Sequence, residues 1–260
     1  MPSVVIPLIE HWVLAFTLIL VRVATVLSML PLLGRRHVPT TVKIGLSLAL
    51  AMMWFGRFGV STTMMSGTNM PWLGYALAVA REVLFGAGLG FALGLFLVPV
   101  QIAGAYIAQE MGLTLATMTD PSTGATSSVP SQLLEALGVL LFFTLDMHHV
   151  VFRALHASFL RIPVGSPEIF SSAALMPAAV SEAHRWGLLI AAPIGICLFI
   201  TSIGMALMMK ASPQFNLFSV GLSLRLLAAM VSLVIFLPEL LTLVQRSFYR
   251  SAAFVTWLTE

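Results

Sequence analysis

The sequence predicts an all-α integral membrane protein made of several helices, some broken and some folded into hairpins, and three observations predict it. Apolar residues supply 59% of the 260 residues and charged residues 9%, against about 45–50% and about 25% in soluble domains. Two stretches, 83–109 and 186–209, carry no charge at all, and each exceeds the ~20 residues that cross a ~30 Å hydrocarbon layer. The apolar runs are separated by Pro-, Gly- and Ser-rich turn chemistry, which marks about six helical segments.

Taken in order, the first run covers about 12–33 and holds one charge, Arg22. The segment before it has no basic stretch and carries Glu10, so it is expected to be retained, not cleaved as a signal. A basic connector, Gly34-Arg35-Arg36-His37-Val38-Pro39, leads to a second run at about 42–56. Polar residues 61–69, closed by Pro71, form a loop. The third run, about 72–109, would be nearly 57 Å long as one straight helix at about 1.5 Å per residue, so it must break or protrude. Arg81-Glu82 and Pro99 are the candidate interruptions, the proline because it deletes a backbone donor and clashes with the preceding turn.

Residues 117–131, TMTDPSTGATSSVPS, favour turns over a helix. A fourth run at about 132–160 contains Asp146, His148, His149 and Arg153, and a proline-bearing connector fills about 161–185. The fifth and sixth runs cover 186–209 and about 223–245, and the tail after Arg246 reads as amphipathic or frayed. Basic connectors at 35–43 and 210–225 read as cytoplasmic. Counting spans then puts the acidic 110–131 loop on the same side. Helices shielded by neighbouring protein, which need not behave as independent lipid-facing spans, reconcile the two.

Several function classes are excluded. Thirteen bases against ten acids give +3, and they are scattered singly, so no basic stripe could follow a nucleic acid backbone. The lone Cys197 can form no internal disulfide and no zinc site of the usual ligand spacing. There is no HExxH, GxSxG, phosphate loop or paired carboxylate, so no catalytic residue, cofactor or metal is expected.

Four features carry candidate chemistry. Gly86, Gly90 and Gly94 recur every four residues, and Gly104 with Ala108 and Gly112 repeats the spacing after Pro99. Small residues at that period let helix backbones approach closely; a glycine-lined pathway is the other reading. Asp146, His149, Arg153 and His156 would share one face of a continuous helix. That face serves either as buried ion-paired structure or as the relay of a small-solute or proton transporter. Ideal helical spacing points His148 and His149 about 100° apart, so they are not expected to chelate one ion together. Arg22 reads as a buried ion pair, a snorkelled anchor or a functional charge. Lastly, 108–121 mixes Met, Gly and Thr after a glycine-rich helix; it is either an ordinary helix end or a pliable loop able to close a pore.

Four blocks in chain order resemble the FliR family, membrane components of the flagellar type III export gate related to the SctT proteins of injectisomes. The first is Arg22 with Pro31-Leu-Leu-Gly34, Val38-Pro39 and Val42-Lys43-Ile44-Gly45-Leu46. The second runs from Glu82 through Gly94 to Gln101-Ile-Ala-Gly104, Met111-Gly112-Leu113 and Asp120-Pro121. The third is Leu145-Asp146-Met147-His148-His149 with Ser158-Phe159 and Pro163. The fourth is Pro193, Lys210-Ala-Ser-Pro213-Gln214-Phe215-Asn216 and Gly221. The chain departs from the family at Met147, where glycine is usual, and at Lys210, where arginine is common. The adjacent histidines favour the flagellar branch.

The resemblance implies a single helical membrane domain over 1–260, with about 1–185 FliP-like and about 186–260 FliQ-like, packed in a hetero-oligomeric export gate. Its implied partners are FliP and FliQ subunits, FlhB, membrane lipid and unfolded flagellar export substrates, in the bacterial inner membrane at the flagellar basal body. The family's channel plug matches 111–118, with Met111, Gly112, Leu113, Leu115 and Met118 inside it. Gly86, Gly90, Gly94, Gly104, Pro213, Gln214 and Asn216 are expected at helix or subunit contacts. Arg22, Asp146, His149 and Arg153 are expected as buried polar groups.

Overall fold

A computed structural model describes residues 2–31, 38–58, 72–112, 129–166, 176–211 and 217–259. Among these the regular structure is α-helix, in eight segments: α1 Pro2–Met29, α2 Thr40–Phe58, α3 Trp72–Gly94, α4 Val98–Glu110, α5 Val129–Thr144, α6 Met147–Arg161, α7 Met176–Ala211 and α8 Leu217–Thr259. Four helices contain stretches long and apolar enough to cross a membrane: Trp12–Met29, Trp72–Gly94, Met176–Met208 and Gly221–Thr256. A fifth is added if α5 and α6 are taken as one broken span.

Six expected runs become eight helices because two of them break. The third stops at Gly94 and resumes at Val98, with Pro99 in the first turn of α4, where its missing N–H has no intrahelical partner to lose. Arg81-Glu82 is no interruption; α3 passes straight through it. The fourth run was expected to be continuous and is not. Leu145 and Asp146 interrupt it, with Asp146 at φ 56°, a left-handed conformation that aspartate tolerates better than most residues. Two further boundaries move. α7 starts at Met176, inside the expected connector, and Glu182 ties its first turns together through Arg185 at 3.3 Å and Trp186 Nε1 at 3.0 Å. α8 continues to Thr259 and buries Val244, Phe248 and Val255, so the tail is helical.

The chain divides into two compact units that interleave in sequence: Met1–Gly94, His148–Ala179 and Ala252–Glu260 in one, Leu95–Met147 and Val180–Ser251 in the other. In the first, α1 packs on both α2 and α3. Contacts along α1 and α3 rise together, from Thr17 with Tyr75 through Arg22 with Glu82 to Met29 with Gly90, so these two helices run parallel. In the second unit α4 packs on α5, and Phe96, Phe142 and Phe248 form an edge-to-face cluster with centroids 5.9–6.3 Å apart. Gln101 Nε2 donates to the buried Glu135 at 2.9 Å, joining α4 to α5 by a polar contact.

Candidate functional site

Arg22 lies in the middle of an apolar helix and is 1% exposed. A guanidinium there is costly unless paired and hydrogen-bonded, and the fold surrounds it. Nε donates to Glu82 Oε2 at 2.5 Å and Nη2 to Glu82 Oε1 at 3.0 Å, a two-pronged pairing of planar groups. Nη1 donates to the carbonyls of Ser158 at 3.2 Å and Ile162 at 2.9 Å. Those carbonyls lie in the last turn of α6 and just past its end, where positive charge is favoured; the Ser158 carbonyl also accepts the Ile162 N–H at 3.1 Å. The rings of Phe85 and Phe159 flank the cation at 4.7 and 4.8 Å.

Glu82 does more than neutralise Arg22. Its Oε1 also accepts the Gly165 N–H at 2.9 Å. Gly165 occupies the third position of a turn closed by Ser166 N–H to Pro163 carbonyl at 3.1 Å, and its φ of +78° is one that glycine adopts without strain. One buried ion pair therefore fixes α1, α3, the end of α6 and the turn that follows it.

The same face of α3 continues as a glycine seam. A Cβ on Gly86 would lie 2.9 Å from the Arg22 carbonyl, and one on Gly90 would lie 2.8 Å from both the Val26 carbonyl and Met29 Cβ. At Gly94 the nearest atom, Pro31 Cδ, would be 3.4 Å away, an ordinary contact. Gly104 is again tight, 2.8 Å from Ser131 Cα on α5. Gly86, Gly90 and Gly104 thus face helices of their own chain.

At the end of α4, Met111 is buried and donates its N–H to the Ile107 carbonyl at 3.0 Å. Gly112 follows at φ +77°, its N–H reaching back to the Gln109 carbonyl at 2.9 Å. This is a left-handed helix stop of the kind glycine favours, and a side chain there would also meet Leu222 Cδ1 at 3.3 Å. The other expected plug residues, Leu113, Leu115 and Met118, and the expected contact residues Pro213, Gln214 and Asn216, lie outside the described residues.

Asp146, His149 and Arg153 depart from the expected burial; all three are exposed on this chain. The break before α6 removes Asp146 from the helix. α6 buries Val151, Ala154, Leu155, Ser158 and Phe159, and at 3.6 residues per turn that leaves His149 and Arg153 on the outward side. No buried relay is formed by these three. The His148 and His149 rings do not diverge as ideal spacing implies; their centroids are 4.2 Å apart.

Sequence reasoning singled out Arg22 but not Glu82 as its partner, nor the buried Glu135. The signal was present: a lone arginine in one uncharged run calls for an acid in another run, and Glu82 is flanked only by Arg81 and long apolar stretches.

These features define a class: a multi-span helical membrane protein locked by a buried ion pair and close glycine contacts, with a glycine stop where its fourth helix ends. The sequence pattern described as bacterial export proteins, family 1, matches residues 13–251, and the chain belongs to that family. Relatives bear the name flagellar biosynthetic protein FliR. The one from Aquifex aeolicus is 30% identical across 88% of this chain and 87% of its own length. That from Pectobacterium carotovorum is 29% identical over 88% and 86%, and that from Bacillus subtilis 26% identical over 90% of each.

Proposed function

We propose that the chain is a membrane subunit of the flagellar protein export gate and that its segment 111–118 plugs the passage for unfolded export substrates. Family membership over 13–251 makes it a component of an export apparatus, and the relatives' shared name supports the flagellum as its setting. The observation that carries the plug assignment is the left-handed stop at Gly112. It ends α4 with Met111 held in the core, just where the methionine- and glycine-bearing segment begins. A plug needs a rigid root and a pliable body, and this junction supplies the root.

The reading extends to FliP, FliQ and FlhB as partner chains, to the bacterial inner membrane at the flagellar basal body, and to a single domain with a FliP-like part to about 185 and a FliQ-like part from about 186. It assigns no catalytic residue; the chain's work is to line and close a conduit. Outward apolar side chains on α7 and α8, among them Phe199, Ile200 and Ile235, support contact with neighbouring subunits. The test is the conductance of the assembled gate in a planar bilayer. Deleting 111–118 should convert a closed assembly into one with a standing ion leak, and an assembly that stays closed without that segment would contradict the assignment.

A further inference from the structure

A surface of the first unit carries chemistry that plugging a conduit does not use. There side chains of α2 and α6 meet. Trp54 Nε1 donates to His156 Nδ1 at 3.3 Å, and the Phe58 ring stacks on Phe159 with centroids 5.6 Å apart. Beside this contact a cleft opens, lined by Met53, Trp54, His149, Phe152, Arg153 and His156. Met53 and Phe152 give it exposed apolar walls. Arg153 stands at its exposed polar side, with Nε donating to the His149 carbonyl at 3.4 Å.

Basic residues predominate. α2 and α6 together hold Lys43, Arg57, Arg153 and Arg161 and contain no Asp or Glu; Asp146 precedes α6 by one residue. Arg57 is exposed one turn beyond Met53 on the same side of α2. Two tryptophans stand beside it: Trp54 lines the cleft, and Trp12 of α1 meets Phe55 of α2 edge to face at 5.5 Å. Tryptophans favour the boundary between acyl chains and headgroups.

We infer that this cleft binds an anionic lipid. The Arg153 guanidinium takes the headgroup phosphate, with Arg57 adding charge, and the first acyl segments lie on Met53 and Phe152. A guanidinium presents a planar fork of donors that matches phosphate oxygens. The apolar walls select a lipid over a free anion. Nothing in this assignment depends on the plug.

The test uses the full chain in detergent, titrated with phosphatidylglycerol or phosphatidylcholine and read by native mass spectrometry. Phosphatidylglycerol should be retained and phosphatidylcholine should not. Arg153→Ala and Arg57→Ala should each weaken retention about fivefold, the effect of one basic residue at an anionic surface. Both side chains are exposed, so thermal unfolding of the variants should match the parent. Excess inorganic phosphate should leave the lipid bound. Equal retention of the two lipids, undiminished binding by Arg153→Ala, or displacement by inorganic phosphate would overturn the inference. In cells, a photo-crosslinker at Phe152 should label lipid; capture of another protein chain there would assign the cleft to a protein partner and equally overturn it.

Discussion

The α1–α3 pair and the α7–α8 pair have similar apolar character, with mean hydropathy 2.1 and 1.6 in the first and 2.3 in each member of the second. Their surroundings differ. Buried residues make up 39% and 44% of the apolar stretches of α1 and α3, against 28% and 22% in α7 and α8. Glycines record the contrast along the helix. Gly86 and Gly90 of α3 have no room for a methyl group, and neither has Gly187 near the start of α7, whose Cβ would lie 2.6 Å from Ile102 Cγ2. Among the described residues, a Cβ on Gly195 or Gly204 further along α7 would meet nothing within 4 Å. In lipid there is no hydrophobic drive between helices, so association depends on close approach and polar contacts. α3 finds both on α1, through Gly86, Gly90 and the Arg22–Glu82 pair. At Gly195 and Gly204, α7 has the small residues without a neighbour among the described residues.

The ion pair gives the largest expected effect. Glu82→Ala strands a buried guanidinium and should cost about 3–5 kcal/mol, measured as loss of folded protein from membranes and a lowered unfolding temperature in detergent. Replacing both partners, Arg22→Met with Glu82→Leu, removes the stranded charge and should recover part of that loss but not all of it, since the Gly165 N–H and the Ile162 carbonyl lose their partners. A Glu82→Ala protein as stable as the parent would remove the lock from the comparison.

Leucine substitutions sharpen the contrast between the two pairs. Gly90→Leu drives a side chain into the backbone of α1 and should destabilise the isolated chain by about 1–3 kcal/mol. Gly195→Leu should stay within about 0.5 kcal/mol in the same unfolding measurement and show its effect only in the yield of assembled gate. A similar loss at both positions would abolish the distinction. Gly112→Ala comes next, at about 1–2 kcal/mol for a non-glycine residue in left-handed geometry; Gly112→Asn should cost less, and thermal unfolding ranks the two. Below these comes His156→Ala, which removes the acceptor for Trp54 Nε1 and should cost about 1 kcal/mol with a change in tryptophan emission.

Composition and run length made the helical membrane fold legible, and Pro99 marked the break between α3 and α4. The break at Asp146 was not legible, because MHHVV continues an apolar pattern and the left-handed turn has neither proline nor glycine to announce it. The cost of that miss was the shared face of Asp146, His149 and Arg153, which exists only on a continuous helix. The glycine period showed close packing but could not say which helix is approached. Gly86 and Gly195 are alike in sequence; only coordinates separate a filled seam from an open one. Arg22 was visible as an anomaly, whereas its partner lies 60 residues away and local pattern cannot connect the two.

A photo-crosslinker placed in turn at Phe199 on α7 and at Val26 on α1 tests the central claim most directly. Phe199 is 62% exposed beside Gly195 and Ile196, and Val26 is fully buried against α3. In flagellated cells the account predicts that Phe199 captures a different protein chain of the export apparatus while Val26 yields only links within its own chain. Labelling of lipid alone at Phe199, with the chain recovered on its own, would contradict it.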